Sequence, residues 1–530
     1  MKNKNFWLVL FLIGLGTWLR LIFIDKPDGL WNDEYVSWYV ASIPYGKTFW
    51  QAVFAQCHMP FYYFYLKFFM HFFGNSDLML RLTSVLPGIL SIVSMYFVGK
   101  ELKDKNAGIL CAAITSISSF LIYFSQEVRF YSLLFLFSSL VLLFTLRLIK
   151  KQSISNIIGF VIFNLLVIFT HTLGFIFVIF NLIFACRAGL LSPRNKFNIG
   201  SLIFLLSLIG LPLLFSILTT HTQSQFWGSF TVSKLGFFIT DYFSPILTNI
   251  VSAPDNFFYN LSLKFIIFAL VPSAIAIAGI FKALKSKNKI ILGLFYVFLA
   301  YILTLVIASI SGKLVFITKY TIEIYPILIA LMAYGLLEFG KKWRQSLIFT
   351  FCFLNLFYIL VSHVSAPKLH RSEGHKIVAE LLKKAQINSG DMILLTYYTP
   401  DRFEKYFDFK NYKVLSIGKG NVCEYLGVNS KEDFKKFDDK IFADKFNKEV
   451  VNKLKHGQKV AVVILTDVSR YSPQQMQLIV TNEKIFNKIP YMFMLFSSLQ
   501  NEINKEGWKK LTPLRQESKG SWLVTTFVKR

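Results

Sequence analysis

The stretch "NFWLVLFLIGLGTWLRLIFI" (Asn5–Ile24), followed closely by "DGLWNDEYVSWYV" (Asp28–Val40), decides the fold. As a helix rising about 1.5 Å per residue, the first segment is long enough to cross the roughly 30 Å hydrocarbon core of a bilayer. No small-residue cleavage site follows it, so it reads as a retained helix and not as a removed signal peptide. The second segment sets two adjacent carboxylates, Asp33 and Glu34, among Trp31, Tyr35 and Trp38 within a few residues of the bilayer edge. Ionised acids are costly there, so a partner or a task must offset the cost.

Composition agrees with the opening. The chain has 530 residues, 54% of them hydrophobic, and 57 are Phe. A soluble protein would need an implausibly large dry core to hold them, which marks an integral membrane protein. The net charge of +27 would suit a nucleic-acid binder only with a basic face and a groove-reading element. The basic residues instead punctuate apolar segments, at Lys100, Lys103 and Lys105, at Arg147, Lys150 and Lys151, at Lys282 and Lys285, and at Lys341, Lys342 and Arg344. Such loops are expected on the cytoplasmic side.

With that orientation, spans fit at roughly 6–24, 82–99, 107–124, 132–149, 156–171, 173–188, 199–218, 261–281, 290–310, 322–340 and 346–364, about eleven helices with the N-terminus inside. The stretch "MPFYYFYLKFFMHFFG" (Met59–Gly74) is apolar but short, and Lys67 and His71 interrupt it. Crossing the membrane there would invert every later basic cluster, so it is expected as an outer juxtamembrane helix. Of the acids in residues 1–366, Glu101, Asp104 and Glu338 fall inside. Asp25, Asp28, Asp33, Glu34, Asp77, Glu127, Asp241, Asp255 and Glu323 fall on the outer side or its rim. Chemistry is therefore expected to face outward.

Residues 1–366 form the expected membrane domain, and residues 367–530 change to a mixed, charged pattern. Helices are expected there at about 372–386, 400–407, 432–455 and from Pro473, alternating with strands in "DMILLTYY", "YKVLSIG", "KVAVVILTDV" and "SWLVTTFVK". This is a soluble α/β domain, placed outside by the odd number of spans. "GKGNVCEYLG" lacks the glycine spacing of a nucleotide fingerprint, so no nucleotide cofactor is expected. Whether Cys57 pairs with Cys423 stays open.

Four outer segments carry residues suited to chemistry. Asp33 and Glu34 point to different sides, so one can face a cavity while the other takes a structural partner; the competing reading is two solvated loop acids. "CHMPFYYFY" brings His58 and Tyr62, with Gly74, Asp77 and Arg81 downstream. "YFSQEVRFYSLL" (Tyr123–Leu134) brings Gln126, Glu127, Arg129 and Tyr131, and a guanidinium fork matches two phosphate oxygens at once. An internal ion pair of Arg129 with Glu127 or Asp33 is the alternative. His171, in "FTHTLGF", is either a helix-end residue or a ligand. "SGKLVFITKYTIEIYP" (Ser311–Pro326) offers Lys313, Lys319, Tyr320 and Glu323. Outer lysines run against the positive-inside trend, and a lipid phosphate would account for them.

Taken in order, these elements resemble the GT-C superfamily of membrane glycosyltransferases. They are the acidic pair after the first span, the His-x-Pro-aromatic-Tyr-Tyr segment leading to Gly-x-x-Asp and Arg-Leu, "SQEVRFYSL", "THTLG" and the late Lys-Tyr…Pro helix. Within the superfamily they are similar to the bacterial branch of protein O-mannosyltransferases and lipid A aminoarabinose transferase. The likeness covers most of residues 1–340 and leaves the tail aside. It implies an inverting glycosyltransferase, a hexosyl- or pentosyltransferase. Such an enzyme moves a sugar from a polyprenyl-phosphate donor to a protein, lipid A, glycan or lipid acceptor outside the bacterial cytoplasmic membrane.

By the same resemblance Asp33 is the base or acceptor-orienting carboxylate with Glu34 beside it, and Arg129, Lys319 and Tyr320 hold the donor phosphate. His58, Tyr62, Gln126, Glu127, Tyr131 and His171 line the pocket. Some members use a divalent metal; Asp33 and Glu127, with His171, are the available ligands for magnesium, manganese or zinc, and metal dependence stays open. Two departures stand out: "HMPF" replaces the usual two prolines and leucine, and Lys319 replaces a common arginine, losing bidentate geometry. The rival class is a lipid or glycolipid transporter or flippase, which would place ionisable groups near the midplane with repeat symmetry.

Overall fold

The computed structural model describes residues 2–22, 24–26, 29–55, 59–187, 238–243, 266–310, 316–364, 375–395, 403–416, 439–465, 508–510, 514–516 and 522–529. His58, Lys313, Cys57, Cys423, the span at 199–218 and the helix from Pro473 lie outside the described residues. The chain divides into two compact units, Met1–Asp25 with Val36–Ser365, and Lys26–Tyr35 with Ala366–Arg530.

The first unit is helical. Its elements are α1 (Lys2–Leu21), α2 (Asn32–Ser42, whose first turn belongs to the second unit), α3 (Lys47–Ala55), α4 (Phe61–Phe73), α5 (Asp77–Leu102), α6 (Lys105–Ile117), α7 (Ser119–Ser125), α8 (Tyr131–Lys150), α9 (Ile154–Thr170), α10 (Gly174–Arg187), α11 (Val271–Lys285, preceded by a π-turn at Ile266–Leu270), α12 (Lys289–Ile310), a 3₁₀ turn (Thr318–Thr321), α13 (Tyr325–Leu336) and α14 (Lys341–Val364). Among the described residues five helices are long and apolar enough to cross a membrane, and α6 with α7 makes a sixth if the bent pair is one span. The remaining expected segments that fall on described residues appear as shorter apolar helices at Asn5–Leu21, Ile154–Thr170, Gly174–Arg187 and Tyr325–Leu336.

Two of these departures have visible causes. The segment expected as one span at 107–124 bends by 57° between α6 and α7. Ser118 at the break is extended (φ −68°, ψ 113°), and its hydroxyl accepts the Leu121 amide to start α7. The carbonyls that α6 leaves unpaired are filled by Arg20 of α1. Its guanidinium is fully buried and donates to Thr115 O at 3.0 Å, Ser116 O at 3.2 Å, Gly16 O at 2.9 Å and Ser125 Oγ at 3.2 Å. A cation at a helix C-terminus both satisfies orphan carbonyls and meets the negative end of the helix dipole. The expected helix at 322–340 starts later, at Tyr325, because Pro326 fits only its first turn.

Helices in lipid gain no hydrophobic drive from each other, so close backbone approach and interhelical hydrogen bonds do the packing. At the α11–α13 crossing a Cβ on Gly335 would collide with Gly279 O and sit 2.7 Å from Ala283 N. Thr145 on α8 and Asn181 on α10 exchange side-chain hydrogen bonds at 3.1 and 3.3 Å. The interruption expected at Lys67 does not break α4: Lys67 Nζ reaches back to Ala41 O at 2.9 Å and Ile43 O at 2.6 Å, closing the C-terminal end of α2.

The second unit holds a mixed sheet of β1 (Met392–Leu395), β2 (Lys413–Ser416), β3 (Lys459–Leu465), β4 (Trp508–Lys510), β5 (Leu514–Gln516) and β6 (Trp522–Lys529), in the order β2-β1-β3-β6-β4 with β5 also on β6. β2, β1 and β3 run parallel, and β6 is antiparallel to β3 and β4. β1 is buried along its whole length, as an unbroken apolar run in a parallel sheet should be. Helix α15 (His375–Lys384) lays Ile377, Val378, Leu381 and Leu382 against Ile393, Leu395, Ala461 and Val463. Helix α16 (Asp439–Glu449) ends in a 3₁₀ turn at Val451–Lys453. The helix expected at 400–407 is, in its described part, a single turn in which the Tyr406 and Phe407 amides both donate to Phe403 O. β4 and β5 were not expected; three polar-leaning residues each carry no periodicity to read.

Candidate functional site

The acid-bearing segment Lys26–Tyr35 belongs to the second unit. Trp31 is the N-cap of α2: its carbonyl takes the Tyr35 amide at 2.8 Å, and its own amide donates to Glu34 Oε2 at 3.1 Å. Glu34 is fully buried and closes the N3 half of a capping box. Asp33 sits beside it in the first turn, partly exposed, where the helix dipole favours a carboxylate. The local backbone thus divides the pair, with one acid building the helix start and its neighbour left at the solvent-accessible edge. Ser37 lies one helical turn beyond Asp33 on α2.

In the first unit, three segments far apart in sequence meet. The loop between α7 and α8 is pinned by Gln126, whose amide donates to Arg20 O at 3.1 Å and Ile22 O at 2.8 Å, holding the end of α1. Glu127 is buried, and its carbonyl takes the Arg129 amide at 2.8 Å. Arg129 is buried too; Nη1 donates to Ser37 Oγ at 3.2 Å, and the guanidinium lies 5.2 Å from the Phe130 ring and 6.0 Å from Tyr131. Tyr62 of α4 meets Phe130 edge-on at 6.0 Å.

His171, at the C-terminal cap of α9, lies between two rings. It stacks on Phe130 at 4.6 Å and 24°, and on Tyr320 of the 3₁₀ turn at 5.8 Å and 27°. Its Nδ1 donates to Glu323 Oε1 at 2.9 Å, and Glu323 is fully buried. Lys319 is buried with Nζ 5.1 Å from the Tyr320 ring, while Tyr320 O accepts the Tyr301 hydroxyl at 3.0 Å. Arg129 and Lys319 are therefore the chain neighbours of the two outer rings in a Phe130–His171–Tyr320 stack.

Three residues of this neighbourhood escaped the sequence reading. Ser37 accepts from Arg129, and its only signal was its spacing of four from Asp33. Asp241 takes the Thr318 hydroxyl, anchoring the 3₁₀ turn, though it had been counted only as an outer acid. Tyr242 stacks flat on Tyr325 at 4.2 Å and 4° and bonds Thr321. Buried charges of both signs, Arg129 and Lys319 with Glu127, Asp241 and Glu323, give a site whose polar groups need partners to be stable. Among the described residues no three His, Cys, Asp or Glu side chains gather as a metal site, so no ligand set is assigned to a divalent ion.

Residues 57–218 match the family model of dolichyl-phosphate-mannose-protein mannosyltransferases. No curated protein matches the chain by sequence. Among solved structures, the oligosaccharyltransferase of Archaeoglobus fulgidus, tethered to an acceptor peptide containing the NVT sequon, is 14% identical. That match covers 93% of this chain and 72% of that one, with a TM-score of 0.55. ArnT from Cupriavidus metallidurans in the apo state is 11% identical over 99% of this chain and 98% of that one, with a TM-score of 0.53. The same ArnT bound to undecaprenyl phosphate matches at 12% identity over 98% and 97%, with a TM-score of 0.51. At these identities the likeness is one of fold. What these matches show is a shared fold with the oligosaccharyltransferase and ArnT, and a segment, residues 57–218, that resembles the mannosyltransferase family model.

Proposed function

We propose that the chain is an inverting glycosyltransferase, a hexosyl- or pentosyltransferase, that uses a polyprenyl-phosphate-linked sugar on the outer face of a bacterial cytoplasmic membrane. Residues 1–366 carry the chemistry in this reading, and residues 367–530 form an extracytoplasmic domain. The observation that carries it is the stack Phe130–His171–Tyr320, which brings the neighbouring cations Arg129 and Lys319 from loops 190 positions apart into one buried neighbourhood. The ArnT structure solved with undecaprenyl phosphate supports the same donor class here.

In the proposed reaction Asp33 takes the proton of an acceptor hydroxyl or amine as that group attacks the anomeric carbon. The bond from that carbon to the phosphate oxygen breaks, and the lipid phosphate leaves with the electron pair. Attack opposite the leaving group inverts the centre. Arg129 and Lys319 stabilise the charge that grows on the phosphate, where fixed donors in a water-poor site act most strongly. Glu34 acts through the helix start it closes. Tyr62, Glu127, Tyr131, His171 and Tyr320 form the walls, and Gln126 acts by holding the end of α1. The sugar and the acceptor, whether protein, lipid A, glycan or lipid, are the open specificity question for a mutant survey of surface glycoconjugates.

The test uses membranes containing the full chain and a panel of undecaprenyl-phosphate hexoses and pentoses. Asp33→Asn and Arg129→Ala are each expected to abolish transfer while leaving membrane insertion in place. Turnover retained by both variants defeats the assignment.

A further inference from the structure

We infer that the C-terminal unit serves as the mount of the acid-bearing loop, with Tyr406 a positioning residue for Asp33. The inference rests on the glycosyl-transfer reading for the role of Asp33, but its structural part stands on contacts within one compact unit. That unit joins Lys26–Tyr35 to Ala366–Arg530 across more than three hundred intervening positions.

Contacts between described residues make the join. The Leu30 amide donates to Tyr406 Oη at 2.8 Å, and Leu30 is fully buried. Gly29 has φ +85° and lies so close to the tail that a Cβ there would stand 2.8 Å from both Lys376 Cβ and Tyr406 Oη. Glycine alone takes that conformation in that space without strain. The ring of Tyr35, in the first turn of α2, lies 5.9 Å from His375, which in turn meets Phe403 edge-on at 5.1 Å. Tyr406 and Phe403 belong to the same short turn, closed by the Tyr406 amide donating to Phe403 O at 2.8 Å.

The path from this mount to the acid is short. Leu30 is fixed through its amide by Tyr406, and the next amide, on Trp31, is fixed by Glu34. Two consecutive backbone donors are thus held, one from the tail and one from the capping box, and Asp33 follows within the first helical turn. A domain that merely covered the loop would need apolar contact alone. A hydroxyl on a specific amide and a left-handed glycine seat fix the register of the loop, and with it the direction in which Asp33 points. Tyr406→Phe keeps the ring and removes the hydroxyl that takes the Leu30 amide.

The experiment uses the full chain in membrane vesicles, with whichever undecaprenyl-phosphate sugar the unmodified protein turns over. Tyr406→Phe and Gly29→Ala are each expected to lower kcat by about tenfold or more, the scale set by a buried amide left without its acceptor. The donor KM should stay within about twofold, because Arg129 and Lys319 are untouched. In parallel, a nitroxide on Asp33→Cys should be immobilised in the otherwise unmodified chain and become mobile when Tyr406→Phe is added. Unchanged nitroxide mobility overturns the mount outright, as does unchanged kcat in both variants when Asp33→Asn is inactive. If Asp33→Asn itself turns over normally, the glycosyl-transfer reading fails, and the nitroxide spectra still decide whether Tyr406 holds the loop.

Discussion

Replacing His171 with alanine tests the ring stack from two directions. The imidazole is only 5% exposed, sits between Phe130 and Tyr320, and donates Nδ1 to a fully buried Glu323 carboxylate at 2.9 Å. Losing two ring contacts costs about 0.5–1.5 kcal/mol each, and withdrawing a hydrogen bond from a buried carboxylate costs about 1.5–3 kcal/mol more. The sum, about 2.5–6 kcal/mol, brackets the roughly 3–5 kcal/mol that breaking a buried charge partnership usually costs. Adding Glu323→Gln removes the stranded charge, so the double variant should regain about 1–3 kcal/mol relative to the sum of the single changes. Thermal unfolding in detergent at one fixed scan rate reads this as a shift in Tm, roughly 2–4 °C per kcal/mol for domains of 150–250 residues and less for a larger unit. His171→Ala should therefore lower Tm by several degrees. A single variant within about 1 °C of the parent, or a double variant no better than additive, refutes the partnership.

Gly335→Val should destabilise the α11–α13 crossing by about 1–3 kcal/mol or more, since its side chain would enter the Gly279 backbone, whereas Gly340→Ala, with nothing within 4 Å, should be neutral; paired Tm measurements decide it. Arg20→Leu should lower the yield of folded protein sharply, because the Thr115 and Ser116 carbonyls lose a charged donor inside the unit; size-exclusion profiles in detergent would show it, and a normal profile would contradict it. Arg129→Lys keeps the charge and loses the fork, so transfer should fall by about tenfold while Arg129→Ala falls further; equal rates for the two would show that geometry, not charge, is the requirement.

Much of this architecture was legible because it depends on local composition. The apolar segments that became α5, α8, α12 and α14 are long, and their basic ends are unambiguous. Strands β3 and β6 announce themselves as β-branched runs, and β1 as a short unbroken apolar one. What stayed hidden depends on partners distant in sequence. The bend at Ser118 needs Arg20, about a hundred positions away, to fill the carbonyls it exposes, and nothing within 107–124 signals that. Arg129, His171 and Tyr320 were legible by residue type, yet the ring stack that joins them is a tertiary fact. Glu34 looked equivalent to Asp33 in sequence, and only the amide of Trp31 distinguishes a capping acid from an accessible one. β4 and β5 are too short and too polar for a periodic signal, and they exist because β6 offers an edge.

The central claim is that Arg129 and Lys319 hold a lipid phosphate. Undecaprenyl phosphate binding to the purified full chain, compared with Arg129→Ala, Lys319→Ala and the double variant, tests it most directly. The account predicts a loss of about tenfold for each single change and about a hundredfold or more for the pair, following the usual strength of hydrogen bonds to charged groups. Binding by the double variant as tight as that of the parent would contradict it.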